Sequence, residues 1–285
     1  MSDSRAVRTL IGHSGVDVGL RCLGSLLRFS ADPISLVIHD DGTLTMEDRE
    51  TLLAALPGSA IMGREETDAS VQLLIERYPH CREYRERHPL ALKLLDIPLL
   101  ASDELAYCDS DILFLKRFTR LFEWADGDPS PIFMRDVQDA YSLRPWHISP
   151  FGKIGVAQRI NSGLIFYKTH NYDLDFVEWF LGRPELASVF RKRQHSIEQT
   201  CWAALGWRAG CRVWDSSQLM LANPEMRGLS ADTVGIHFVA SYRGKLKEFP
   251  LDNGDASRDP VDIRSSKAGG ISLISMLIDE VKRRL

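Results

Sequence analysis

Residues 106–115 read AYCDSDILFL, an apolar run that delivers Asp109 and Asp111 one residue apart and then returns at once to apolar chain. Side chains alternate along an extended chain, so both carboxylates are expected on the same side. Left alone there they repel. A hard divalent cation between them removes the repulsion and can also grip phosphate oxygens. In an open α/β sheet ligands bind beyond the carboxyl ends of the strands, which is where this pair stands. Aspartate is also a common turn residue at a strand end, and D-x-D by itself often occurs without a site. The chemistry therefore rests on what else the chain brings to the pair.

Three other stretches offer partners. RINSGLIFYK sets Asn161, Ser162 and Gly163 at the head of an apolar strand: two small polar groups, and a glycine that admits a ligand close to the backbone. HSIEQTCWAAL places Glu198 and Gln199 at the start of a helical pattern, types suited to sugar hydroxyls or to a developing positive charge. VGIHFVASYRGK carries His237 within a strand, then Tyr242, Arg243 and Lys245 in a basic loop able to clamp a diphosphate. Taken singly each has a plainer reading: Asn161 as a turn residue, Glu198 as a helix N-terminal acid, His237 as a core histidine. A further acidic group, VIHDDGTLT, resembles the first motif of haloacid dehalogenase-like phosphatases through Asp41, Gly42 and Thr43. His39 stands where that motif has its attacking aspartate, so the covalent chemistry is lost and the stretch reads as a turn.

These residues need a scaffold, and the periodicity supplies one. AVRTLIG is strand-like and ends in GHSG; Val16, Leu20, Leu23 and Leu27 follow at helical spacing, with Ser14 and Asp17 placed as a capping box. The unit recurs in ISLVIH, the turn DDGT, and a helix opened by Thr45 and Asp48 that carries Leu52, Leu53 and Leu56. A charged helical stretch, SVQLLIERYPHCREYRERH, and the apolar PLALKLLDIPLL lead to the strand ELAYC. Further strands are predicted at PIFMRD, SGLIFYK, CRVWD and VGIHFV, and helices at YDLDFVEWFL and SIEQTCWAAL. Strand alternating with helix implies an α/β fold, one domain over residues 1–250, with a central, mostly parallel sheet flanked by helices. Residues 125–159 read as long loops, and residues 251–285 as a polar linker with a closing amphipathic helix, ISLISMLIDEVKRRL. That helix is basic only in its last turn, which favours docking on its own domain or on a second copy over contact with a membrane surface.

The composition fits this class. Of 285 residues 44% are hydrophobic and 26% charged, and the net charge of −4 is spread along the chain, giving no surface for general nucleic-acid binding. Five cysteines, odd in number and without a C-x-x-C pair, are consistent with a reducing, cytoplasmic setting. No apolar run is long enough to span a bilayer, and the first residues lack a signal-peptide core, so a soluble protein is expected.

In chain order, D-x-D at a strand end, N-S-G before a strand, E-Q on a helix and a late histidine with basic neighbours resemble the nucleotide-sugar-dependent glycosyltransferases of the GT-A fold. The pattern is most similar to glycosyltransferase family 8, the group of the glycogenins and the bacterial lipopolysaccharide galactosyltransferases. The resemblance runs from RTLIGHSG through RGKLKEF and takes in LVIHDDGTLTMEDRETLL as that group's second strand, turn and helix. It implies a Rossmann-like GT-A fold and transfer of a hexose from a nucleotide sugar, UDP-linked, to a hydroxyl of a saccharide, lipid or protein, with Mn²⁺ or Mg²⁺ and with retention of anomeric configuration. By the same resemblance Asp109, Asp111 and His237 would hold the metal. His13, Ser14, Ser110 and, more weakly, Asp40 would contact the nucleotide. Arg243 and Lys245 would meet the phosphates, and Asn161, Glu198 and Gln199 would stand by the donor sugar and its anomeric centre. Tyr141, Trp146 and Phe151 of the long loops are candidates to stack on the acceptor.

Two departures from the family pattern matter. LALKL keeps Lys93 for the donor site but puts Ala91 where a sugar-binding arginine is expected, and the late basic motif has Arg243 in place of lysine without its usual glycine. They leave open a non-catalytic nucleotide-sugar-binding protein. A nucleotidyltransferase fits less well, because GHSGVDVG has no lysine or arginine to serve an activated phosphate.

Overall fold

The computed structural model describes residues 4–125, 127–147, 154–192, 194–223, 229–249, 259–272, 274 and 276–278. Strand β1 (Arg5–Ile11) buries Val7 and Ile11 on one face and turns Leu10 to the other, and helix α1 (Val16–Phe29) lays Leu23, Leu26 and Phe29 on the first of these. The unit repeats in β2 (Ile34–Asp40), α2 (Met46–Ala55) and β3 (Ala60–Met62). Helices α3 (Arg64–Leu74) and α4 (Pro79–Arg87), then the single turns α5 (Ala91–Leu94) and α6 (Asp96–Leu99), return the chain to β4 (Glu104–Cys108). There follow β5 (Ile112–Phe114), β6 (Phe118–Thr119), β7 (Ile132–Arg135), β8 (Ile160–Lys168), α7 (Leu174–Leu181), α8 (Pro184–Lys192) and α9 (Ile197–Ala209). The last strands are β9 (Arg212–Trp214), β10 (Leu219–Leu221), β11 (Gly235–His237), β12 (Val261–Asp262) and β13 (Ser265–Lys267).

Eight strands form one sheet in the order β13-β9-β7-β8-β4-β1-β2-β3. Strands β3, β2, β1 and β4 pair parallel, as do β7 and β9, while β8 inserts antiparallel between β4 and β7 and β13 closes the edge antiparallel to β9. Six of the eight strands thus run one way, and the sheet is mostly parallel with helices on both faces. The two-residue period of the strands divides the core accordingly. Leu105, Tyr107, Phe133, Ile165 and Tyr167 join the apolar residues of α3 to α9, and Ala106, Cys108, Ile132, Leu164 and Phe166 join those of α1. A second sheet, β10-β11-β5, leans on the carboxyl end of the first. No helix among the described residues is long and apolar enough to cross a membrane.

Local chemistry explains where the elements differ from expectation. Thr45 and Asp48 do form a capping box, Asp48 N–H donating to Thr45 Oγ1 at 3.1 Å and Thr45 N–H to Asp48 Oδ2 at 2.8 Å. Ser14 and Asp17 do not: a 3-10 turn over His13–Gly15 delays the helix to Val16, and Gly15 takes the cap position. The charged helical stretch is two helices, broken before Pro79, because the residue preceding a proline is pushed out of helical geometry. Part of the presumed linker is strand, β12 pairing with β6 and β13 with β9. These strands are two and three residues long, and β13 is the polar edge of its sheet, so they show no hydrophobic alternation to read. Met276 is buried, while most of the closing helix, like Phe151, lies outside the described residues. Tyr141 is buried rather than presented to an acceptor; its hydroxyl donates to Ala157 O at 2.8 Å and accepts from Ile160 N–H at 2.7 Å.

Arg85 of α4 ties three helical segments together. Its guanidinium meets Asp96 of α6 through Nε–Oδ1 at 2.8 Å and Nη2–Oδ2 at 2.6 Å, and Asp68 of α3 at 2.6 Å. Removing Asp96 strands a buried charge, so Asp96→Ala should lower the unfolding free energy by about 3 kcal/mol in urea denaturation. An unchanged midpoint would show that apolar packing alone holds these segments.

Candidate active site

The neighbours of β1 lie on opposite sides, β2 and β4, so the loops leaving the carboxyl ends of β1 and β4 part around a crevice. Asp109, Ser110 and Asp111 are the turn between β4 and β5, and it is this turn, not alternation along a strand, that brings the two carboxylates together. Because β8 runs against β4, its first residues arrive at the same end, and Asp109 N–H donates to Gly163 O at 2.7 Å. Strand β11 pairs antiparallel with β5, setting His237 opposite Ile112, and Phe238 N–H donates to Asp111 O at 2.9 Å. The first turn of α9 adds Glu198 and Gln199.

His237 Nε2 stands 3.0 Å from Asp111 Oδ1 and 3.6 Å from Asp109 Oδ2, and one ligand atom from each of the three residues lies within 4.8 Å of the others. Nδ1 of the same ring is 3.0 Å from Asn161 Oδ1. The orientation of that amide is fixed by its neighbours: its oxygen accepts Gly163 N–H at 2.9 Å, and its nitrogen donates to Asp136 Oδ2 and Gln199 Oε1, each at 3.3 Å. Nδ1 therefore carries a proton, and Nε2 turns toward two carboxylates, a contact satisfied by a second ring proton or by a metal cation. Two carboxylate oxygens and an imidazole nitrogen are a fitting donor set for a divalent metal. Gly163 makes the arrangement possible, since a Cβ there would stand 2.4 Å from His237 Cε1. The glycine thus seats the imidazole. Burial raises the pKa of Asp111, but His237 and Arg243, whose Nε reaches Asp111 Oδ2 at 2.8 Å, outweigh it and bring it down to about 2.

Asp109 is held from the other side. Lys93 of α5 is buried with Nζ 3.0 Å from both Asp109 oxygens, and the Tyr107 hydroxyl donates to Oδ1 at 2.6 Å. Burial opposes the ammonium charge of Lys93, yet Asp109 and Glu198 together raise its pKa above the ordinary value. Glu198 Oε2 accepts Ser162 Oγ–H at 3.0 Å, and Oε1 faces Lys93 Nζ at 3.8 Å. Desolvation dominates there and pushes the Glu198 carboxyl up to about 7, against the pull of Lys93. Gln199 Nε2 donates to Ala140 O at 3.3 Å and to Asp136 Oδ2 at 3.4 Å. Burial also raises the pKa of Asp136.

The remaining candidates lie around this centre. His13 and Ser14 are exposed in the loop after β1, His13 Nδ1 pairing with Asp48 at 2.7 Å. Ser110 adjoins α1, where a Cβ on Gly19 would be 3.6 Å from its own. Both oxygens of Asp40 are engaged locally: Oδ1 accepts from Gly42 and Leu44 N–H and Oδ2 pairs with Arg49 at 2.6 Å, so Asp40 shapes the loop after β2. Arg243 reaches Asp111, whereas Lys245 lies 5.7 Å from the centroid of the Tyr242 ring. Two residues escaped the sequence reading. Asp136 follows β7 directly, the strand-end placement that singled out Asp109, whereas Tyr107 sits inside an apolar strand with nothing to mark it.

Gly163→Ala should weaken Mn²⁺ binding by at least about tenfold, because one displaced ligand forfeits a metal bond and its orientation. Water-proton relaxation titration of Mn²⁺ would show this; unchanged affinity would mean that His237 is not a ligand. In metal-free protein the native state keeps a proton on Glu198 that the unfolded chain, with its ordinary value of 4.5, releases. This contribution to stability is complete below about pH 4.5 and is lost as the pH rises through about 7. Glu198→Gln should remove on the order of 3 kcal/mol of that pH dependence, read from urea denaturation in EDTA at pH 4.5 and 7.5. Parallel pH profiles for the two proteins would contradict it.

No family model matches this chain. No curated protein matches it either. Solved structures do. Mouse xyloside xylosyltransferase 1 in its apo form is 12% identical with a TM-score of 0.53, over 84% of this chain and 99% of that one. The apo WbbM bifunctional glycosyltransferase is 10% identical with a TM-score of 0.52, over 85% of this chain and 46% of that one, so this chain spans less than half its length. At such identities the likeness is one of architecture: the chain has the GT-A glycosyltransferase fold.

Proposed function

We propose that this chain is a Mn²⁺-dependent glycosyltransferase of the family 8 type that moves a hexose from a UDP-sugar to a hydroxyl acceptor. One observation carries the reading: Asn161 commits the Nδ1 proton of His237, so that Nε2 joins Asp109 and Asp111 around a single point. A divalent cation held by these three residues would supply Lewis-acid charge to a departing diphosphate. The mixture of carboxylate and imidazole favours Mn²⁺ over Mg²⁺.

The chain's own residues then divide the work. Arg243 is 61% exposed at its side chain and rests on the outward oxygen of Asp111, which leaves its guanidinium able to pass to a phosphate. Lys93 is enclosed between Asp109 and Glu198, so its part is to fix the first aspartate in place and not to touch the donor. His13 and Ser14, from the loop after β1, and Ser110, from the turn after β4, would meet the nucleoside. Asn161 and Gln199 share Asp136 and form a rigid amide pair beside Glu198 at the sugar. Inversion would need an open carboxylate base for the acceptor. Glu198 is buried between Ser162 and Lys93, and Asp136 gives Oδ2 to the two amides and Oδ1 to Gln138 N–H, so neither carboxylate is open to an acceptor, which supports retention with the leaving phosphate guiding the acceptor proton. The five cysteines, all buried and free, support a reducing, cytoplasmic setting.

Ala91, in place of the expected arginine, favours a second reading, a protein that binds the donor without turnover. Release of UDP from a panel of UDP-sugars, in Mn²⁺ and in EDTA, separates the two: slow metal-dependent release is expected from a catalyst, and none from a binder. Gln199→Ala should lower this turnover by about 10²-fold while UDP affinity stays nearly constant. Equal losses in both would move the amide pair from the sugar to the nucleotide.

A further inference from the structure

A cavity of about 390 Å³ opens between α4, the α7–α8 turn, α8 and the start of α9. It shares no lining residue with the aspartate cluster. Tyr84, Phe190 and Ile197 give it an apolar, partly aromatic floor. Arg87, Arg183 and Arg191 stand along its rim with one acid, Glu83, which is already paired with Arg87 at 2.7 Å. Arg191, exposed on α8, has no ion-pair partner among the described residues. With Arg87 paired to Glu83 and the Arg183 guanidinium lying over the Trp179 ring at 4.7 Å, it is Arg191 that offers a guanidinium at the cavity mouth, above a surface suited to a ring face.

We propose that this cavity binds a single ring that carries a phosphate. Its volume falls within the roughly 300–1,000 Å³ of small-molecule sites. A planar guanidinium group matches paired oxygens of a phosphate, while an aromatic floor takes either a sugar face or an aromatic ring by stacking. None of the lining residues belongs to the Asp109, Asp111 and His237 cluster, so this site stands whether or not the chain is a transferase.

The test is calorimetry in EDTA with phenyl phosphate, glucose 6-phosphate, inorganic phosphate and cyclohexanol. At least one of the two charged rings should bind in the submillimolar range, with the tighter of them identifying an aromatic or a sugar ring. Phosphate alone and the uncharged ring should bind far more weakly. Arg191→Glu, on an exposed helix face, should weaken binding roughly tenfold or more. Ala187→Trp should abolish it by filling the cavity from α8, and Asp111→Asn should leave it unchanged. The proposal is overturned if neither charged ring binds, if inorganic phosphate binds as tightly as the rings, or if binding survives Arg191→Glu and Ala187→Trp. Loss of binding in Asp111→Asn would likewise overturn it by assigning the ligand to the aspartate cluster.

Discussion

Four carboxylates, those of Asp109, Asp111, Asp136 and Glu198, meet at one end of the sheet, and their mutual repulsion is the constraint around which this part of the molecule is arranged. Two like charges about 4 Å apart repel by about 4 kcal/mol even at the moderate screening of a protein surface. Each acid is answered differently. Asp109 receives an ammonium and a phenol from Lys93 and Tyr107, and Asp111 receives Arg243 and the His237 ring. Asp136 receives two amides, and Glu198 moves toward its neutral form with a pKa of about 7. The gap between Asp109 and Asp111, closed on its third side by Nε2, is where these devices leave room for a cation.

The topology explains how such a cluster is assembled. A purely parallel sheet would bring only strand ends to this edge. The antiparallel insertion of β8 brings the beginning of a strand there as well, so that Asn161, Ser162 and Gly163 lie beside Asp109. The small sheet delivers His237 by the same device, β11 against β5. Three chain segments far apart in sequence are therefore fixed by main-chain hydrogen bonds before any side chain contributes. Gly163 then does for packing what Asn161 does for protonation: one leaves space for the imidazole, and the other decides which nitrogen faces the acids.

Much of this was legible in the residues. The alternation of strands and helices indicated the architecture, since long amphipathic segments such as α1 carry strong periodicity and doubly buried strands such as β8 read as short continuous apolar runs. The D-x-D pair, Asn161, Glu198, Gln199 and His237 could be picked out because polar residues at the ends of apolar runs break the pattern, and the structure brings them together. What could not be read were features that depend on partners distant in the chain. Tyr107 looks like any strand aromatic, Asp40 looks like a site acid until Arg49 and its own loop amides claim it, and Tyr141 looks available until Ala157 and Ile160 enclose its hydroxyl. Strands of two or three residues, such as β12 and β13, are too short to show a period.

The central claim is that Asp109, Asp111 and His237 surround one divalent cation that bridges the protein to a nucleotide diphosphate. Anomalous diffraction at the manganese edge, from crystals grown with Mn²⁺ and UDP, tests it most directly. The account predicts a single strong peak within coordination distance of an oxygen from each aspartate and of His237 Nε2, adjoining the density of the two phosphates. A nucleotide bound without a peak at that point, or a peak held by other residues, would contradict it.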